Sequence, residues 1–379
     1  MQRAGRLGKG LIFVGEQPIG HSEVSDLALL AKTRNVSGGH LKMKKLMISA
    51  AVAGVAAVSM PSAAFAECGE VTVGVANWST AEIVGNLDAF ILETGYGCSV
   101  TQTPTATTTT LALAQGAASA LVVSEFWTNG ADADVLEQML SDGEISLDAK
   151  PFPDAGEFWY VTPAFAEDYP ELDTVEKLIQ RPDLFPSPTV DGAGAFWGCP
   201  VGIGWGCEHN NKGIFDSYDM ASLGWNLENP ASYEGQISIV TQAVLADEYW
   251  VGYYWTPTAV AINLGLVIIP WEAEFAGDDY WHKCVSTDDR PADCVMKPTA
   301  WVPSVVDTLT TPALEAFEGA NAYVNTRVVP MALLGAADAY MSENSASGMD
   351  TAKWMLANNE DVWVDWVSDE AADAIRAAL

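Results

Sequence analysis

Apolar and polar positions fall into a strand–helix–strand order from about residue 70 onward. VTVGVANW (71–78) is rich in β-branched residues and predicts a strand. The next stretch, STAEIVGNLDAFILETGYG (79–97), places Ile83, Leu87, Phe90 and Ile91 at helical spacing. Ser79 or Thr80 can cap that helix, and Gly95-Tyr96-Gly97 ends it. CSVTQTPT (98–105) predicts a second strand, and this order implies a parallel α/β sheet. A weak helix is expected over 105–119, a third strand over 120–127 (ALVVSEFW), and helices over 132–143 and 170–180. Helical spacing returns at 214–226 and 231–245, with strand-like runs at 249–254 and 260–269. A Gly-rich stretch fills 191–213, and the chain beyond Thr308 reads as helical. There is no internal repeat and no low-complexity linker, so two lobes joined by short crossings are expected.

Residues 43–66 (MKKLMISAAVAGVAAVSMPSAAFA) change the picture of the amino-terminal part. Lys44 and Lys45 precede a short Ala-rich apolar run, and Ala64-Phe65-Ala66 fits a cleavage site before Glu67. This is the pattern of a secretory signal peptide. Residues 1–42 then read as a misassigned extension. The mature chain, 67–379, is long enough for two lobes with a core each. Eight of the 18 basic residues and three of the 50 acidic ones lie in 1–66, so the mature net charge is 10 − 47 = −37. No basic patch remains for nucleic acid, and an anionic membrane surface repels such a chain. The acids are scattered through a sequence that is 49% hydrophobic, which describes a folded acidic domain rather than an acidic tail.

Six cysteines follow the signal: Cys68, Cys98, Cys199, Cys207, Cys284 and Cys294. An even number in an exported chain argues for disulfides. Proximity favours Cys199–Cys207 and Cys284–Cys294 and leaves Cys68–Cys98, at the starts of two neighbouring strands. A zinc site is disfavoured, because there is no C-x-x-C and only His209 and His282 remain after the signal.

Little supports catalysis. The chain has no P-loop, no H-E-x-x-H and no G-x-S-x-G. Tryptophan is the unusual residue: there are 14, all in the mature part. Trp78 and Trp127 end strands, Trp205 lies in GIGWGCE, and Trp255 lies in YYWTP. In open α/β sheets ligands bind outside the carboxyl ends of strands. Aromatic faces gathered there, without a base or metal, describe a cage for a methylated cation held by cation–π attraction.

These motifs carry a resemblance. The mature chain resembles the periplasmic substrate-binding proteins of glycine betaine-type ABC transporters, through Gly204-Trp205-Gly206-Cys207-Glu208, Tyr253-Tyr254-Trp255-Thr256-Pro257 and Phe126-Trp127-Thr128. The resemblance implies that Trp127, Trp205 and Trp255 form the three-ring cage of the betaine binders. It implies that the Cys199–Cys207 bridge matches the family's small disulfide loop around the second ring. It also implies that the backbone amides of Gly206 and Cys207 hold the ligand's anionic end, as amides opening a helix can. Trp78 adds a fourth ring that choline-binding relatives carry. Tyr254 is an additional candidate, with Tyr253 as its alternative. The trimethylamine N-oxide binders of marine bacteria are similar to this chain in their acidic, exported character.

The expected fold is therefore α/β with two periplasmic-binding-protein lobes of type II and the ligand between them. Lobe I is expected over 67–158 and 301–379, and lobe II over 159–300. Within lobe II, 271–300 reads as a disulfide-bearing insertion. Asp278, Asp279, Asp288 and Asp289 there can be considered for Ca²⁺, although EF-hand spacing is absent; no other cofactor is expected. The expected function is periplasmic capture of a small methylated amine for a membrane permease, by a monomer and without chemistry. Trimethylamine N-oxide is the first choice of ligand, with glycine betaine or choline as alternatives. A choline binder calls for a carboxylate near the hydroxyl, for which Glu125 or Glu82 can serve. A secreted enzyme of methylated amines and a protein whose tryptophans are ordinary core are the competing classes.

Overall fold

Two five-stranded sheets organise the computed structural model, which describes residues 68–379. The expected extension and signal peptide, residues 1–66, lie outside the described residues. In chain order the strands are β1 (Glu70–Ala76), β2 (Ser99–Thr105), β3 (Ala120–Trp127), β4 (Ser146–Ala149), β5 (Gly156–Val161), β6 (Gly194–Trp197), β7 (Trp225–Glu228), β8 (Val251–Thr256), β9 (Val267–Ile268) and β10 (Val306–Thr310). The first sheet runs β2-β1-β3-β10-β4 and the second β7-β6-β8-β5-β9. β1 is parallel to both neighbours, whereas β10 is antiparallel to β3 and β4. β6 is likewise parallel to β7 and β8, with β5 antiparallel beside β8. Each lobe thus combines parallel strands with a returning antiparallel one. This matches the two-lobed binding-protein fold expected from the sequence.

The opening unit forms as its pattern predicts. Helix α1 (Ser79–Tyr96) buries Ile83, Val84, Leu87, Ile91 and Leu92. It stops where Gly97 takes φ 69°, a left-handed conformation cheap only for glycine. The Cys98 N–H then returns to the Leu92 carbonyl at 3.0 Å. Its neighbours are the carboxy-terminal helices Gly348–Asn358 and Asp369–Ala378, so the chain's end completes the first lobe. Under α1, Asp88 and Arg327 form a fully buried pair at 2.7 Å, with Tyr323 Oη donating to Asp88 at 2.6 Å. Cys68 and Cys98 are bonded across the starts of β1 and β2, whose register pairs Glu70 with Ser99.

Elsewhere the local reading needed correction. The expected helix over 214–226 begins earlier, at Cys207, and ends at Ser217. Asp219 and Gly224 take positive φ and break it, after which 225–228 pairs as β7. Residues 260–269 are mostly not strand: Thr258 caps a short helix, Ala259–Asn263, by accepting from Ala261 N–H. The helix expected over 170–180 shrinks to Val175–Leu178 behind its Thr174 cap. β4, β5, β6 and β10 were not predicted; each spans only four to six residues. Because β5 begins at Gly156 and joins the second sheet, the first crossing lies at 150–155, ahead of 158. The return crossing precedes β10.

The 271–300 segment packs Trp281 and Val285 into full burial, with Cys284 bonded to Cys294. Two of its charges pair closely, Lys283 with Asp293 and Arg290 with Asp216, and His209 Nδ1 lies 3.1 Å from Asp288. Among the described residues no three His, Cys, Asp or Glu side chains gather as a metal site, around Asp278, Asp279, Asp288 and Asp289 or elsewhere. No helix of the described residues is long and apolar enough to cross a membrane.

Candidate functional site

Trp78, Trp127, Trp205 and Trp255 line one small cavity between the two sheets. Trp78 follows β1, where it precedes α1, and Trp127 closes β3 of the first sheet. Trp205 comes from the Gly-rich loop after β6, and Trp255 from β8 of the second sheet. The rings stand edge to face. Trp78 and Trp205 are 5.9 Å apart at 89°, and Trp205 and Trp255 5.3 Å apart at 84°. Each is nearly buried, at 4–7% exposed. The space they enclose is tight: the centre of a water-sized sphere can occupy only about 30 Å³ of it.

Strand alternation decides between the two tyrosines. Tyr253 and Trp255 share one face of β8, and both line the cavity. Tyr254 points the other way, is fully buried and is not part of the lining. Tyr253, rather than the expected Tyr254, is therefore the tyrosine of β8 that faces the cavity.

Gly206 and Cys207 also line the cavity, at the start of helix Cys207–Ser217, where backbone N–H groups lack partners within the helix. The approach demands glycine twice over. A Cβ on Gly206 would overlap the backbone of Gly130, which belongs to the opposite lobe. Gly204 holds φ 85°, and a Cβ there would lie 2.8 Å from Ala106 Cβ. The Cys199–Cys207 disulfide closes this loop over eight residues.

The residue missed by sequence reasoning is Glu157. It lines the cavity at the second position of β5 and is 6% exposed. Its Oε1 accepts from Tyr253 Oη at 2.7 Å, and its Oε2 from Asn129 Nδ2, Trp301 Nε1 at 3.3 Å and Ser304 Oγ at 3.3 Å. Burial pushes its carboxyl above the usual range, against the pull of these four donors. One signal pointed to it: a lone acid in the otherwise apolar run GEFWYV. The two acids considered instead do other work. Glu82 accepts from Gly348 N–H at 3.1 Å, and Glu125 sits behind the rings rather than between them.

The site can surround a small cation with aromatic faces, oppose it with a buried carboxyl, and offer amides to an acceptor atom.

The family described as the substrate-binding domain of ABC-type glycine betaine transport systems matches residues 69–364. Among solved structures, a choline-binding protein of an ABC transporter, in complex with choline, is 14% identical. The match covers 82% of this chain and 98% of that one, with a TM-score of 0.59. The glycine betaine/L-proline-binding protein of Borrelia burgdorferi gives 14% identity, coverages of 81% and 99%, and a TM-score of 0.57. Lactococcal OpuAC, closed on glycine betaine, gives 15%, coverages of 79% and 100%, and 0.55. No match was found among curated protein sequences. With the family match spanning most of the chain, this protein belongs to the substrate-binding domains of ABC-type glycine betaine transport systems.

Proposed function

We propose that the protein captures a small trimethylated amine in the four-Trp cavity and delivers it to an ABC permease, acting as a periplasmic monomer. The observation that carries this reading is the enclosure of so small a space by four indoles and one buried carboxyl. Cation–π contacts contribute ~0.5–2 kcal/mol each. With methyl burial, they approach the ~8 kcal/mol of a micromolar complex. Trp127, Trp205 and Trp255 form the core of the cage, and Trp78 closes it.

The ligand favoured is trimethylamine N-oxide. It is the smallest of the candidates, and its single oxygen is an acceptor that suits the amides of Gly206 and Cys207. A protonated Glu157 can donate to the same oxygen. The carboxylate of glycine betaine can accept the same proton, but it is larger than the N-oxide oxygen, and an ionised Glu157 would repel both. Choline is the second reading, because its hydroxyl can donate to an ionised Glu157.

Titration calorimetry with trimethylamine N-oxide, choline and glycine betaine tests this. The expected order of affinity is trimethylamine N-oxide, then choline, then betaine. Tightest binding of betaine would remove the argument from ligand size, and failure of all three to bind would refute the cage.

A further inference from the structure

β3 (ALVVSEFW) carries one charged residue, Glu125, which is 3% exposed. An isolated carboxylate in such surroundings is costly, so its partners matter. They are distributed unevenly. Oε1 accepts three bonds: from Trp78 Nε1 at 2.7 Å, Trp127 Nε1 at 2.8 Å and Thr80 Oγ1 at 3.1 Å. Oε2 is buried with no hydrogen-bond partner among the described residues. Two of the three donors are walls of the cage, reached from behind.

We propose that Glu125 is a positioning residue of the cage, whose one oxygen clamps the indole N–H groups of Trp78 and Trp127 and lends their faces negative charge. This rests on the reading of the cavity as a cation cage. The outer torsion of a tryptophan has a broad minimum, so a fixed acceptor at Nε1 sets the ring plane. A charged acceptor makes that bond about twice as strong as a neutral one. Cation–π attraction follows the negative charge of the ring face, and an anion at the N–H pushes electron density toward that face. In a site poor in water the carboxylate also acts directly on a bound cation.

The clamp carries a charge that changes near neutrality. Burial pushes the Glu125 carboxyl up to about 7, against its three hydrogen bonds. The titratable groups around it are Asp338, from helix Met331–Asn344, which pushes it further up, and Tyr233 from the opposite lobe. Glu157 lies on the far side of the cage and titrates on its own account. A cation favours the ionised form of Glu125, so binding strengthens as pH rises through about 7.

The first test uses no ligand. In ¹H–¹⁵N spectra of the mature protein, the indole signals of Trp78 and Trp127 should move together with a midpoint near pH 7. Trp78→Phe and Trp127→Phe identify the two signals. Indole signals that neither move between pH 5.5 and 8.5 nor lie downfield of the other tryptophan indoles, where bonds to a charged acceptor place them, would overturn the clamp, and this readout needs no variant at Glu125. The second test is the affinity for tetramethylammonium, a cation with neither hydroxyl nor carboxylate, in the parent and in Glu125→Gln. Glutamine keeps an acceptor oxygen and loses the charge. The affinity ratio of parent to variant should grow from near 1 at pH 5.5 to about 3–10 at pH 8.5. Taking the ratio cancels the titration of Glu157. A ratio near 1 at every pH would show that Glu125 serves packing alone and overturn the proposal. If tetramethylammonium and the three methylated amines all fail to bind the parent, the cage reading falls, while the indole titration still decides the clamp.

Discussion

Asn77 grips the Trp205 loop with both ends of its amide: Oδ1 accepts from Trp205 Nε1 at 2.7 Å, and Nδ2 donates to the Ile203 carbonyl at 3.1 Å. Asn77 follows β1 in the first lobe, and Trp205 follows β6 in the second, so both bonds cross the cleft. Other bonds join the same seam. Thr108 donates from its backbone N–H and its Oγ1 to the Gly204 carbonyl, and Ser79 Oγ lies 3.0 Å from Tyr233 Oη. A cage whose rings come from two lobes is complete only when those lobes meet.

Replacing Asn77 by Ala should therefore act on closure. It removes two bonds worth about 1 kcal/mol each, and affinity should fall about 5- to 30-fold. Neither lobe's core includes Asn77, which is exposed, so the melting temperature of the ligand-free protein should stay near that of the parent. Calorimetry and melting together check this. Unchanged affinity would mean that the seam forms without Asn77.

Alanine in place of Trp127, Trp205 or Trp255 should cost ~1–3 kcal/mol of affinity, about 5- to 150-fold, because ring burial and cation–π attraction are lost together. Phenylalanine should cost less, since a ring face remains. Trp78→Ala should weaken a trimethylamine N-oxide complex more than a betaine one, because the smaller ligand has fewer other contacts. Trp250 is the control. It is 3% exposed but does not line the cavity, so its loss should lower stability more than affinity. Equal affinities of the folded Trp205 and Trp255 variants and the parent would refute the cage.

That the four rings converge on one cavity was legible because each stands at a strand end or in a glycine loop, three of them beside Thr or Gly. Those are positions where a tryptophan is seldom ordinary core. The long helix α1 and strands β1 and β3 were legible because the apolar pattern is sustained over seven residues or more, and β2 because its β-branched residues follow the glycines that end α1. β6 and β10 were not, since four or five residues of strand carry too little pattern to stand out beside glycines and threonines. Glu157 escaped for a different reason. Its role comes from donors at 129, 253, 301 and 304, and no local window contains them. Tyr254 was preferred to Tyr253 because adjacent tyrosines look alike until the register of β8 says which one faces the cleft.

The disulfides should separate by function. Cys199–Cys207 encloses the loop that delivers Trp205 and the Gly206 and Cys207 amides. By the chain-entropy argument so short a loop contributes about 2–3 kcal/mol. Replacing both cysteines by Ser should lower stability by about that amount and weaken binding, because the loop loses its fixed shape. The same change at Cys284 and Cys294 should lower stability while leaving affinity near that of the parent, since neither residue lines the cavity. Non-reducing peptide mass spectrometry should find both bridges and Cys68–Cys98 in the exported protein. Free thiols at 199 and 207 in protein that binds ligand would contradict the assignment.

The buried acids set how stability depends on pH. Burial raises the carboxyls of Glu125, Glu157 and Asp338 above their ordinary range, Glu125 to about 7. The folded chain therefore holds these protons more tightly than the unfolded chain. By linkage, their effect on stability is most favourable where all three are protonated and is lost as pH rises through the folded values. For Glu125 the window runs from its ordinary 4.5 to about 7. At 1.36 kcal/mol per unit, its contribution to the decline is at most about 3 kcal/mol. Acids whose values are lowered by partners, such as Asp216 beside Lys212 and Arg290, act in the opposite direction, but below their ordinary value of 3.8. Between pH 5 and pH 7 the ligand-free protein should thus lose stability and level off above, measured by urea unfolding at high salt to screen the general repulsion of a chain whose mature part carries −37. Glu125→Gln should flatten that slope and be more stable than the parent at pH 8, since an uncharged amide avoids the buried charge. Parallel slopes for parent and variant would show that Glu125 does not titrate in this window.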